Sequence, residues 1–125
     1  MSLPQNPTPE FKAAPETPST PDILIALTTV PDEASAVKIT EALLQQRLAA
    51  CVHRLPSGVS TYRWKGAIES ATEFTLLIKT RRALWAELAA LIATLHPYET
   101  PEIIALSVSA GDAAYLKWID DETRG

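Results

Sequence analysis

Apolar positions run through this chain with two different periods, and the changes of period mark out its elements. Ile23-Leu-Ile-Ala-Leu-Thr-Thr-Val30 is a near-continuous apolar run of strand length, the pattern of a central strand covered on both faces. From Pro31-Asp32-Glu33 onward the period lengthens, and Ala36, Ile39 and Leu43, with Val37, Leu44 and Leu48 beside them, recur at helical spacing. Lys38, Glu41, Gln45 and Gln46 fill the opposite side. Residues 49–54 become extended again, and Pro56-Ser57-Gly58 breaks that extension with a bend or bulge. Residues 59–64 are β-rich, and Lys65-Gly66 has the chemistry of a hairpin turn. The return strand alternates cleanly, with Phe74, Leu76 and Ile78 on one face and Glu73, Thr75, Leu77 and Lys79 on the other.

Leu84, Leu88, Leu91 and Leu95 then predict the inner face of a second helix, which His96-Pro97 stops. A last strand is expected over 102–109, and Gly111-Asp112 opens a terminal helix on which Tyr115, Trp118 and Ile119 share a side. The order is β-α-β-β-α-β plus a C-terminal helix, a split β-α-β pattern of the α+β class. It predicts a four-stranded antiparallel sheet carrying both long helices on one face. The other face, assigned Leu77, Ile103 and Ala105, would leave a monomer with an apolar patch larger than soluble monomers usually expose. Self-association is the expected remedy.

Composition narrows the picture without redirecting it. The 125 residues give room for one domain, expected over 22–125. A disordered proline-rich tail is expected over 1–21, where prolines stand at 4, 7, 9, 15, 18 and 21. A formal charge of −4 with no basic run argues against nucleic acid as a partner. No apolar stretch is long enough to span a membrane. Cys51 is the only cysteine, so no intrachain disulfide can form, and the cytoplasm is the expected compartment.

Three groups of residues carry candidate chemistry. Cys51 and His53 fall on the same face of a strand, where they would offer soft ligands to Cu(I) or Zn(II); a lone cysteine after Leu-Ala-Ala is equally at home as a small buried hydrophobe. His96-Pro-Tyr-Glu-Thr-Pro-Glu102 packs an imidazole, a phenol and two carboxylates into a loop braced by two prolines. That loop reads either as a capping network for the last strand or as a ligand or metal site at a subunit junction. Tyr62 and Trp64 share one face of the hairpin, as cross-strand stabilisers or interface anchors, with Glu73 and Lys79 on the return strand near enough to serve polar groups there. Nucleophile elbows, zinc-protease motifs and phosphate-binding glycine loops are absent from the sequence.

These stretches together resemble the CutA family of divalent-cation tolerance proteins. The match is carried by Arg47-Leu-Ala-Ala-Cys-Val52, Ser60-Thr-Tyr-Arg-Trp-Lys-Gly66, Glu73-Phe-Thr-Leu-Leu-Ile-Lys-Thr80, His96-Pro-Tyr-Glu-Thr-Pro-Glu-Ile-Ile104 and Tyr115-Leu-Lys-Trp-Ile119. The resemblance implies a ferredoxin-like fold assembled as a homotrimer, similar in architecture to the PII-type signalling proteins, and a role in tolerance of divalent metals, copper above all. Cys51, Tyr62, Trp64, His96, Tyr98 and Glu99 stand at positions characteristic of the family.

The leading expectation is therefore a non-enzymatic trimer binding a metal ion or small ligand in clefts between subunits. The metal candidates are His96, Glu99, Glu102 and Cys51; the cleft or interface candidates are Tyr62, Trp64, Glu73, Lys79, Tyr98 and Trp118. No cofactor is obligatory, with copper or another divalent cation as the candidate ligand. Mixed nitrogen and oxygen donors suit Cu(II), whereas Cys51 would favour Cu(I). The alternative is a PII-like signalling or scaffold module acting through an unidentified protein partner. Acid–base catalysis by His96, Tyr98 and Glu99 is a third reading, without a nucleophile to accompany it.

Overall fold

A computed structural model describes residues 21–125; the tail expected over 1–21 lies, but for Pro21, outside them. Five strands and three helices follow in the order β1 (Ile23–Val30), α1 (Glu33–Gln45), β2 (Cys51–Arg54), β3 (Gly58–Trp64), β4 (Ala67–Arg81), α2 (Trp85–Leu95), β5 (Ile103–Ser107) and α3 (Ala113–Glu122), with a 3₁₀ turn over Arg82–Leu84 leading into α2. Every pairing is antiparallel, in the spatial order β2-β4-β1-β5. β3 pairs with the first half of the same β4 that holds β2, so β2 and β3 behave as one strand interrupted at 55–57. The four-stranded expectation and the bend at Pro56-Ser57 describe the same arrangement from the sequence side.

Helix α1 begins where Asp32, in extended conformation, accepts the Ser35 backbone N–H at 2.7 Å. The acid thus acts as N-cap and not within the first turn. The helix ends in a Schellman arrangement, Leu48 N–H to Leu43 C=O and Arg47 N–H to Leu44 C=O, with Arg47 at φ 56°. Ala36, Ile39 and Leu43 are buried, whereas Val37 and Leu44 face solvent, so the apolar stripe is narrower than its composition suggested.

The core lies between the sheet and the two long helices. Ala26, Val30, Leu76 and Ile78 from the strands meet Ile39, Leu43, Leu88 and Ile92 from the helices, and Ile103 and Ala105 pack against the same cluster. This corrects the assignment of Ile103 and Ala105 to the open face. Their register with Thr28 and Ala26 points them toward the helices, and it is Ile104 and Leu106 that point away. The run Ile-Ile-Ala-Leu has no polar alternate from which the phase could be read.

On the open face, α3 covers one end of the sheet. Leu116 and Ile119 bury Ile23, with Ala50 and Val108 at the margin. Tyr115 and Trp118 do share a side, half-exposed and stacked on one another at 5.7 Å, but Ile119 turns inward with Leu116 and not with them. Arg47 donates to the Asp121 carbonyl at 2.8 Å and Arg81 to the Thr123 hydroxyl at 2.9 Å, fixing α3 in place. Beyond α3 the face carries Ile104 and Leu106 without cover among the described residues.

Candidate functional site

The first half of β4 pairs with β3 alone, because β1 engages β4 only from Phe74 to Arg81. Seven residues a strand at about 3.3 Å each give an arm roughly 23 Å long standing clear of the main sheet. Its turn places Lys65 at φ 50° and Gly66 at φ 83°, the two consecutive left-handed positions of a type I′ hairpin. Strand alternation puts Ser60, Tyr62 and Trp64 on one face of the arm, level with Glu73, Glu69 and their neighbours across the pairing.

Between that face and the loop at 97–102 lies a cleft of about 490 Å³. The arm contributes Ser60, Tyr62, Trp64, Glu69 and Glu73; the loop contributes Pro97, Tyr98, Glu99, Thr100 and Glu102; Thr29 closes the base. Four carboxylates and three aromatic rings therefore line one space, with no lysine, arginine or histidine among the described residues that line it.

His96 sits behind this cleft and not in it. Its ring is buried, with Nε2 2.7 Å from the Thr29 carbonyl oxygen, and Nδ1 receives the Tyr98 backbone N–H at 3.1 Å. Nδ1 must be the acceptor, so Nε2 carries the proton and donates to Thr29. Both nitrogens are committed, and neither offers a lone pair to a metal. The imidazole instead ties the loop to β1 and stacks obliquely on Tyr98 at 4.9 Å. Tyr98 in turn donates its hydroxyl to Glu73 at 2.7 Å, joining the loop to the arm. Partial burial, reinforced by the Glu73 carboxylate, pushes the Tyr98 phenol up to about 12, so the bridge keeps its proton.

Cys51 lies elsewhere. It pairs with Lys79, which faces Ile25 on β1, four residues along the strand from Thr29 and hence roughly 13 Å from the His96 contact. The Lys79 ammonium is 3.9 Å from the Cys51 sulfur and 3.4 Å from the Tyr115 hydroxyl. Lys79 and Trp118 thus belong with Cys51 and Tyr115 on the open sheet face and do not line the cleft. His53 is exposed on the same strand as Cys51. The residues brought together are Tyr62, Trp64, Glu73, Tyr98, Glu99 and Glu102, and Cys51 is not among them. Glu69 is the residue that sequence reasoning missed. Counting back in twos from Glu73 along an exposed strand reaches it, because positions 73, 71 and 69 share a face.

No three His, Cys, Asp or Glu side chains among the described residues converge closely enough to hold a metal ion together. No helix among them is long and apolar enough to cross a membrane.

Known proteins with this architecture are numerous. The chain is 41% identical over 103 residues to the divalent-cation tolerance protein CutA of Pectobacterium atrosepticum, covering 82% of this chain and 94% of that one. A crystal structure of CutA from Xylella fastidiosa superposes with a TM-score of 0.80 at 47% identity, over 82% of this chain and 99% of the other. A periplasmic divalent cation tolerance protein CutA from Archaeoglobus fulgidus aligns at 36% identity with a TM-score of 0.78, over 80% and 97%. A sequence model for the CutA1 divalent ion tolerance protein matches residues 24–122, and with these relatives it shows that the chain belongs to the CutA family.

Proposed function

We propose that the protein is a non-enzymatic homotrimer of ferredoxin-like subunits that serves divalent-cation tolerance, copper included, by binding cations at the cleft between its hairpin arm and the 97–102 loop. The observation that carries this reading is the lining of the cleft: four carboxylates face one space, with no basic side chain among the described residues that line it. Such a concave acidic wall concentrates cations by long-range attraction before any contact is made. The name of the family describes tolerance of divalent ions and no reaction.

The donor set suits a cation held through its water shell. Inner-sphere binding of a divalent ion requires several oxygens at about 2.0–2.6 Å from one point, and no such group of ligands is assembled among the described residues. Within the candidate set, Glu99 and Glu102 are the ligands this reading retains. Assembly into a trimer is supported by the exposed apolar residues of the arm and open face, where Val59 and Ile68 are 71% and 69% accessible. A trimer would bring neighbouring copies against these residues, and so place the cleft near a subunit junction. A single cysteine and the absence of disulfides suit a cytoplasmic setting.

Calorimetric titration of the chelator-treated protein with Cu(II) and Zn(II), alongside a Glu99→Gln/Glu102→Gln double variant, tests the site. Saturable binding weakened at least about tenfold in the double variant is expected, since two charge-assisted contacts are removed. Equal affinity in the two proteins would overturn the assignment. Sedimentation equilibrium gives the mass, and a monomer across the working concentration range would overturn the trimer.

A further inference from the structure

The cleft has features that a simple metal ion does not use. Its volume of about 490 Å³ falls in the range of sites for organic ligands, more than twice the roughly 180 Å³ that an ion with six waters fills at about 30 Å³ per water. Its carboxylates are distributed around the walls and not gathered at a point. Between them stand the rings of Tyr62, Trp64 and Tyr98, which contribute nothing to a hard cation wrapped in water. Aromatic faces do attract weakly hydrated organic cations and pack against their methylenes.

The arm already shows this behaviour on a small scale: the Lys65 ammonium lies 5.7 Å from the centroid of the Trp64 ring. The Tyr98–Glu73 hydrogen bond holds one ring and one carboxylate side by side in a fixed relation, with the phenol remaining neutral. An anionic ligand would meet four like charges, and a purely apolar one would bury carboxylates without partners. An extended chain with cationic ends separated by methylenes satisfies both kinds of wall.

We propose that the cleft is a binding site for an aliphatic di- or polyamine, whose ammonium groups pair with Glu69 and Glu73 on the arm and Glu99 and Glu102 on the loop while its methylenes lie against Tyr62 and Trp64. This rests on the reading of the cleft as a cation site, and it names the chemical class of cation that the site selects. Selection follows from the sum of the two wall types. Charge alone favours any cation, but the rings favour only one that carries apolar length.

The test is titration of the full chain, freed of metal, with spermidine, putrescine and Mg(II) at constant ionic strength. Spermidine is expected to bind saturably and more tightly than Mg(II) or putrescine. Trp64→Leu keeps apolar volume on an exposed strand while deleting the ring, and is expected to weaken spermidine about 2- to 30-fold, the fold-change of one cation–ring contact, with Mg(II) unaffected. Glu69→Gln is expected to weaken both ligands. Circular dichroism of each variant checks that the arm is intact; if Trp64→Leu disturbs it, Trp64→Phe, which keeps a weaker ring, is expected to fall between wild type and a Tyr62→Leu variant. Equal spermidine affinity in the Trp64 variants and wild type overturns the proposal, as does Mg(II) displacing spermidine at matched concentration. Glu99- and Glu102-dependent Cu(II) binding without any spermidine binding overturns this inference and leaves the metal reading standing. Absence of binding by every cation overturns both.

Discussion

On the helix-covered side of the sheet, Ala26, Leu76 and Ile78 lose all contact with water, while on the opposite side Ile104 and Leu106 keep about half of theirs (49% and 57%). The side chains are all apolar and sit on strands of one sheet. What separates them is the supply of partners. The dry side receives two long helices, whose Ile39, Leu43, Leu88 and Ile92 fill the space above the strands. Among the described residues the open side receives only α3, which closes over Ile23 and stops. Strand alternation distributes apolar residues to both faces of a central sheet, but the described residues supply helices enough for one face and a corner of the other. The uncovered part and the projecting arm hold the exposed residues on which the trimer proposal rests, and the cleft opens beside them.

The comparison breaks most directly by truncating one residue from each side. Leu88→Ala is expected to cost about 2–5 kcal/mol in denaturant unfolding, the range for emptying a packed site, at every protein concentration. Ile104→Ala is expected to cost within about 0.5 kcal/mol at concentrations where subunits are apart, as for an ordinary surface position. Its cost should grow as concentration rises, because assembly adds burial that the isolated subunit lacks. A concentration-independent cost for Ile104→Ala similar to that of Leu88→Ala would mean that the two faces are equally covered within one chain.

Much of the dry side was legible in the sequence, because there the pattern and the packing have the same period. Ile23–Val30 was a bounded apolar run and is β1 as read. Phe74, Leu76 and Ile78 alternated with polar neighbours, which fixed their face before any partner was known. Lys65-Gly66 announced its turn by glycine chemistry. Residues 103–106 failed to declare a phase because every one of them is apolar, and the hydrogen-bond register with β1 decided it instead. The cleft was half legible. The 96–102 loop stood out by its density of polar groups, yet the role of His96 depended on a carbonyl 67 residues away in sequence, which no local pattern can reveal. Cys51 was separated from that loop by strand order and register, with β4 standing between β2 and the β1 carbonyl that His96 contacts.

A smaller effect probes the bridge between loop and arm. Tyr98→Phe removes the hydroxyl that donates to Glu73 and is expected to cost about 1 kcal/mol near neutral pH. The phenol is pushed up to about 12 in the folded protein, whereas an unfolded tyrosine ionises near 10. Folding therefore favours the protonated form. The stabilisation is fully present below about pH 10, and it is lost as pH rises toward about 12, where the unfolded chain releases its proton first. Unfolding midpoints followed from about pH 8 upward should converge for wild type and variant, and a gap that widened with pH would contradict the bridge.

The smallest expected effect lies on the dry side, at Asp32. Its carboxylate caps α1 through the Ser35 N–H, and that backbone hydrogen bond holds its pKa below the ordinary aspartate value of 3.8. A lowered carboxylate pKa means that folding favours the ionised form. The contribution is present above the unfolded value and disappears as pH falls through the folded one. Asp32→Ala should lower the thermal midpoint slightly at neutral pH, by less than Tyr98→Phe does, because the cap is fully solvated and α1 is also held by Ala36, Ile39 and Leu43. The gap between the two proteins should close below about pH 4 as the wild-type carboxylate is protonated. The two sites thus titrate at opposite ends of the scale. Acid removes the support of a helix that packing already holds, and alkali removes the support of a loop that little else holds to the arm. Closure of the Asp32 gap in acid, with the Tyr98 gap unchanged there, would separate the two contributions; persistence of the Asp32 gap at about pH 2 would mean that the side chain acts on α1 through something other than its charge.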